Sequence, residues 1–269
     1  MVARQLSQQG LNALHVGRCA DAELHFREAI QKCPTNTTAR YQLANCLWKR
    51  GANEEAIEQL TEALEISGRT DVGMLVELGY MHANQGHMKE AYQLSEDAIR
   101  LAPDRTDCWQ LRGDVLREEG RLGTALAAYH RALAHDPANA DARLATAEIH
   151  LEQGQAARSL AALSRLEEQI PPENRTLQML VLKSRSLRAM QRPEDAEQLL
   201  MEVAQQQKPD PEVLVELAEA QTEAGHLAQA KRTLQEVLPL VDPAEQERLQ
   251  SLIPQTARTP EAPDAPLRR

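Results

Sequence analysis

Glycine returns at a fixed interval in this chain. Gly17, Gly51, Gly86, Gly120, Gly154 and Gly225 stand at one phase, Gln191 takes the sixth of the seven places, and successive gaps are 34, 35, 34, 34, 37 and 34 residues. Five residues after each comes a small side chain: Ala22, Ala56, Ala91, Ala125, Ser159, Ala196 and Ala230. Four further on a large one follows in six copies, Phe26, Leu60, Tyr129, Leu163, Leu200 and Leu234, with Ser95 the exception. Such periodicity dictates the architecture, because one short unit cannot bury its own apolar face and must stack on its neighbours.

Apolar positions within each copy recur at three- and four-residue spacing, which predicts two helices of roughly 13 residues around the turn that holds the glycine. The copy "WQLRGDVLREEGRLGTALAAYHRALAHDP", Trp109 to Pro137, carries the physical logic. Gly113 is expected where its helix approaches the next one closely, and Gly120 where the first helix ends in a left-handed backbone. Ala125 keeps the facing surface flat, Trp109 and Tyr129 are expected to fill the space beside the close contact, and Pro137 closes the second helix.

On these residues the chain resembles the tetratricopeptide repeat (TPR) family, whose helix-turn-helix unit has the same order of small and large places. The resemblance implies an all-α, right-handed α-solenoid of about seven repeats over residues 3–242, at about 3–36, 37–70, 72–105, 106–139, 140–173, 177–210 and 211–242. Residues 243–253 read as a capping helix for the last repeat, and the proline-rich segment 254–269 as a tail with too little apolar material to fold. Repeat six departs from the rest: Ser184 and Gln191 replace both glycines, and an insertion around "IPPENRT" precedes it, where a kink is expected.

Composition narrows the function. The net charge is -10, with no basic stripe, which argues against nucleic acid. No apolar run approaches the roughly 18 residues of a membrane span. The first residues lack the apolar core of a secretory signal, so a cytoplasmic location is expected of the chain as written; a start site placed too late would hide a signal or lipoprotein anchor. Phosphate-binding, dinucleotide-binding, zinc-protease and nucleophile-elbow motifs are all missing, so no catalytic residue, cofactor or metal is expected. Cys19, Cys33, Cys46 and Cys108 lack zinc-ligand spacing and read as packed thiols. The nearest histidine pair, His82 and His87, lacks a third ligand.

Surface is then the functional element. In the family resembled here, first helices line the groove that binds peptides or partner helices. Carried over place by place, this implies a binding groove of Leu11, Leu14, Tyr41, Asn45, Trp48, Lys49, Tyr80, Asn84, Asp114 and Arg117. Tyr41 and Trp48 suit hot-spot contacts and equally suit packing between neighbouring first helices. A second, charged surface joins Arg185 and Arg188 to Glu212, Glu219 and Glu223, either as a dock or as helices that neutralise one another. The carboxylate clamp of chaperone-binding relatives is not expected: its places hold Asn45 but otherwise Tyr41, Glu77, Asp107 and Leu111. The expected function is a non-catalytic scaffold binding a protein or peptide in the groove. The alternatives are an assembly factor for a cell-envelope or secretion complex and a homo-oligomer joined through the first repeat.

Overall fold

At each glycine beat the chain turns between two helices. In the computed structural model, which describes residues 1–206 and 210–251, these are α1 (Val2–His15) and α2 (Cys19–Lys32), α3 (Thr37–Arg50) and α4 (Asn53–Ile66), α5 (Val72–Asn84) and α6 (Met88–Leu101), and α7 (Thr106–Glu118) and α8 (Leu122–His135). They continue as α9 (Ala140–Glu152) and α10 (Ala156–Gln169), α11 (Leu177–Ala189) and α12 (Pro193–Gln206), α13 (Pro211–Glu223) and α14 (Leu227–Val237), then α15 (Pro243–Ser251). No strand occurs among the described residues, and the fold is all-α. The tail expected over 254–269 lies outside those residues.

The turn is built the same way with and without glycine. Gly120 has φ +72°, and the reversal is closed by Gly120 N donating to Arg117 O at 2.8 Å and Arg121 N to Leu116 O at 2.9 Å. Gln191 adopts φ 59°, and Gln191 N and Arg192 N close the same pair of bonds, to Arg188 O and Leu187 O, so repeat six keeps the turn at the steric cost of a side chain there.

The chain forms two compact units, Met1–Ala142 and the residues from Arg143 onward. The first is held by an interlock of missing and oversized side chains. A Cβ at Gly113 would lie 2.6 Å from the Tyr129 ring, and one at Gly10 would lie 2.5 Å from Phe26; both rings are fully buried. Where Ser95 leaves the large place empty, Leu111 of the following helix comes within 2.5 Å of the corresponding point on Gly79. Trp109 departs from expectation: its indole Nε1 donates to Pro103 O at 2.7 Å, on the loop side, while fully buried Cys108 and Leu111 occupy the interior.

Asparagine caps tie repeats together. Asn36 Oδ1 accepts from Ala39 N at the start of α3, while its Nδ2 donates to Ser7 Oγ of α1 at 2.9 Å. Asn139 does the same between Ala142 N and Gln110 Oε1 of α7. In the second unit a 3-10 turn, Pro172–Asn174, takes up the insertion, and α15 buries Leu249 against Leu214, Val215, Ala218, Leu234 and Val237.

Candidate protein-interaction faces

In the first unit α1, α3, α5 and α7 are bridged in series by polar side chains. Asn36 reaches Ser7, Tyr41 on α3 interacts with Glu77 on α5, and Tyr80 on α5 donates its hydroxyl to Asp114 Oδ2 on α7 at 3.0 Å. Between these bridges Leu11, Leu14, Tyr41, Trp48 and Tyr80 are packed on the core yet only partly covered. Asn45 is half-buried beside Tyr41; Lys49 and Asn84 are exposed, and Lys49 has no ion pair among the described residues.

The tyrosines differ in what they leave free. Burial, then the Glu77 hydrogen bond and charge, raises the Tyr41 phenol, with Asn45 opposing. Tyr80 is raised more strongly, by burial first and then by Asp114. The Asp114 carboxylate also accepts from fully buried Tyr129 at 2.7 Å. Burial raises its pKa, while the two hydroxyls and the charge of Arg117 pull it down. Asp114, Arg117 and Tyr80 thus form a cluster that locks α5, α7 and α8. The sequence pointed to Asp114 as a groove position; its bond to Tyr129 had no signal in spacing.

The second unit carries the charged residues, and here they are paired with one another. Arg185 Nε donates to Glu216 Oε1 at 2.6 Å and its Nη2 to Glu212 at 3.4 Å. Arg188 contacts Glu216 at 2.8 Å and both Glu219 and Glu223 at 2.7 Å. Arg248 of α15 reaches Glu219 and Glu245. Burial alone would lower the Arg188 pKa, but the surrounding carboxylates outweigh it and raise it. Glu216, 4% exposed, holds the centre between the two arginines. Glu212, Glu216, Glu219 and Glu223 stand four, three and four residues apart, a stripe on one face of α13 that the sequence itself displays. Arg185, Arg188, Glu216, Glu219 and Glu223 also line a cavity of ≈500 Å³ together with Leu151, Ala189 and Gln191.

Burial pushes the Cys108 thiol up to about 12, far from thiolate reactivity at neutral pH. His82 and His87 bring their Nδ1 atoms to 3.3 Å, and burial followed by His87 lowers the His82 pKa. Among the described residues no group of three or more His, Cys, Asp or Glu could hold a metal ion, and no helix is long and apolar enough to cross a membrane.

Paired helices with a small-to-large interlock and an open first-helix face define a helical-repeat protein. Residues 13–78, 116–183 and 187–253 match the tetratricopeptide repeat family, and residues 72–105 match a second tetratricopeptide repeat pattern. The chain belongs to the tetratricopeptide repeat family, whose members bind protein partners and are generally non-catalytic. A curated relative, the cellulose synthase 1 operon protein C of Komagataeibacter xylinus, is 25% identical over 86% of this chain, which spans only 18% of that protein's length. Among solved structures, a tetratricopeptide repeat protein from Parabacteroides merdae superposes with a TM-score of 0.71 at 16% identity, over 94% of this chain and 98% of that one. PilW, described as a widely conserved type IV pilus biogenesis factor, gives 0.70 at 17% identity, over 79% and 97%. These structural likenesses concern the fold.

Proposed function

We propose that the protein is a non-catalytic scaffold that binds a segment of a partner protein on the first-helix face of its first unit. One observation carries the reading. Leu11, Leu14, Tyr41 and Trp48 are partly uncovered in a row of packed helices, beside the uncommitted polar groups of Lys49 and Asn84. Half-covered aromatics fixed from behind lose little conformational entropy on binding, which suits them as anchors. Tyr80 and Asp114 serve as the rigid wall, because their polar atoms are committed to each other. The charged face of the second unit is self-neutralised, so Arg185, Arg188, Glu212, Glu219 and Glu223 act in holding α11, α13 and α15 together.

The test is affinity capture with the wild type and a Trp48→Ala/Lys49→Ala variant side by side. A partner recovered by the wild type and lost by the variant, at unchanged helicity, supports the face. Equal recovery refutes it.

A second reading is that this scaffold assists assembly of a cell-envelope or secretion complex. It draws on the likeness to PilW, a type IV pilus biogenesis factor, and to the cellulose synthase 1 operon protein C. Fractionation of cells expressing the native gene tests it: exclusive recovery apart from envelope material would sink the reading.

A further inference from the structure

A cavity of ≈810 Å³ opens in the first unit where α1, the end of α2 and the start of α3 meet. Its charged side chains are Arg4 and Lys32, with Gln8, Thr35 and Thr38 among the polar groups between them; no Asp or Glu lines it. That composition stands out in a chain of net charge -10. The nearby arginines are already occupied: Arg18 pairs with Asp21, Arg27 with Glu23 and Glu55, Arg40 with Glu62, and Arg50 with Glu23. Arg4 and Lys32 have no ion pair among the described residues, and both are exposed. Leu11 belongs both to this lining and to the proposed binding face, so the cavity continues that face.

We infer that the cavity receives an acidic side chain of the bound partner segment, with Arg4 and Lys32 as its counter-charges and Leu11 beneath the neighbouring apolar residue. This rests on the binding face proposed above and adds the partner's chemistry to it. Over most of its surface the protein's own carboxylates repel an anionic segment. Here two uncompensated cations on flexible stems face an acid-free hollow roomy enough for several side chains. The field at such a spot steers an approaching carboxylate and fixes the register of the chain that carries it. The exposed hydroxyls of Thr35 and Thr38 add donors of adjustable direction.

The experiment uses the full chain and a fluorescently labelled short peptide of alternating Glu and Leu, with a Gln-for-Glu peptide as control, read by anisotropy at low and high salt. The expected result is that the Glu peptide binds in a salt-sensitive way and that Arg4→Gln/Lys32→Gln weakens it about five- to tenfold at unchanged helicity, as two rim ion pairs predict. Equal affinity for both peptides, or no loss in the double variant, overturns the inference. So does inorganic phosphate displacing the peptide while binding as tightly itself, which would make the cavity a small-anion site. A Trp48→Ala arm separates the two proposals. If it leaves peptide affinity intact while the Arg4/Lys32 variant lowers it, the cavity stands and the aromatic face falls; the reverse pattern sinks the cavity alone.

Discussion

Replacing Gly113 with alanine should destabilise the first unit, although alanine is the better helix former by about 1 kcal/mol. The added Cβ would sit 2.6, 2.7 and 2.8 Å from three atoms of the Tyr129 ring. Carbon atoms in contact keep about 3.5–4.0 Å, so the ring must retreat by about 1 Å. It has nowhere to go, being fully buried with its hydroxyl 2.7 Å from Asp114. Overpacking of this kind costs about 1–3 kcal/mol, and losing a hydrogen bond to a charged acceptor costs about 1.5–3 kcal/mol more. Set against the propensity gain, the net loss is about 1.5–5 kcal/mol, a drop in Tm of about 3–20 °C for a chain of this size. Gly123→Ala, in α8, is the internal control: nothing lies within 4 Å of its new Cβ, so it should be neutral or slightly stabilising. Thermal melts followed by far-ultraviolet circular dichroism compare the two directly. A Gly113→Ala variant as stable as Gly123→Ala would refute the interlock, and partial rescue by adding Tyr129→Leu would strengthen it.

Three further outcomes follow from the geometry. Ser184→Ala should raise stability by about 1 kcal/mol in chemical denaturation, because the Ser184 hydroxyl is fully buried without a hydrogen-bond partner and alanine removes that unmet group; a loss of stability would contradict this. Arg188→Met should cost about 3–5 kcal/mol by the same assay, since it leaves the nearly buried Glu216 without one of its two cations; an unchanged midpoint would mean that Arg185 suffices. The third is a pH effect at Asp114. Its folded pKa is raised from 3.8 by burial, so its contribution is fully present below 3.8 and is lost as pH rises through the folded value. Asp114→Asn removes that titration, and its stability relative to the wild type should therefore climb with pH above 3.8; a flat difference would show that the hydroxyls and Arg117 cancel the effect of burial.

How much of this was legible depends on whether a feature repeats. The glycine turns and the Gly113–Tyr129 contact follow from spacing, because every copy must solve the same packing problem and the solution shows as a period. Even Gln191 was found through its phase, with its left-handed backbone confirming the turn. Features that occur once leave no period. Trp109 is a partial case: Arg40, at the same phase in repeat two, makes the equivalent bond to Pro34 O at 2.9 Å, but the change of residue type hides the shared role from a reading by spacing. The Asp114 bridge likewise joins Tyr80, 34 positions earlier, to Tyr129 in the following helix, two partners whose meeting depends on how α5, α7 and α8 stack. The charged helices lie between these cases: the glutamate stripe was visible, whereas the sharing of Arg188 among three of its members required the structure.

The cap asparagines carry a consequence for cooperativity. Because the two ends of one amide serve both the start of α3 and its contact with α1, the cap and the stacking contact are gained or lost together. Asn139 couples the start of α9 to α7 in the same manner. A helix whose nucleation depends on its neighbour cannot fray independently, so opening at one repeat raises the free energy of the next. The amide protons of Ala39 and Ala142, held directly by these caps, would therefore exchange with solvent on the timescale of the preceding repeat's unfolding and not of their own helix ends.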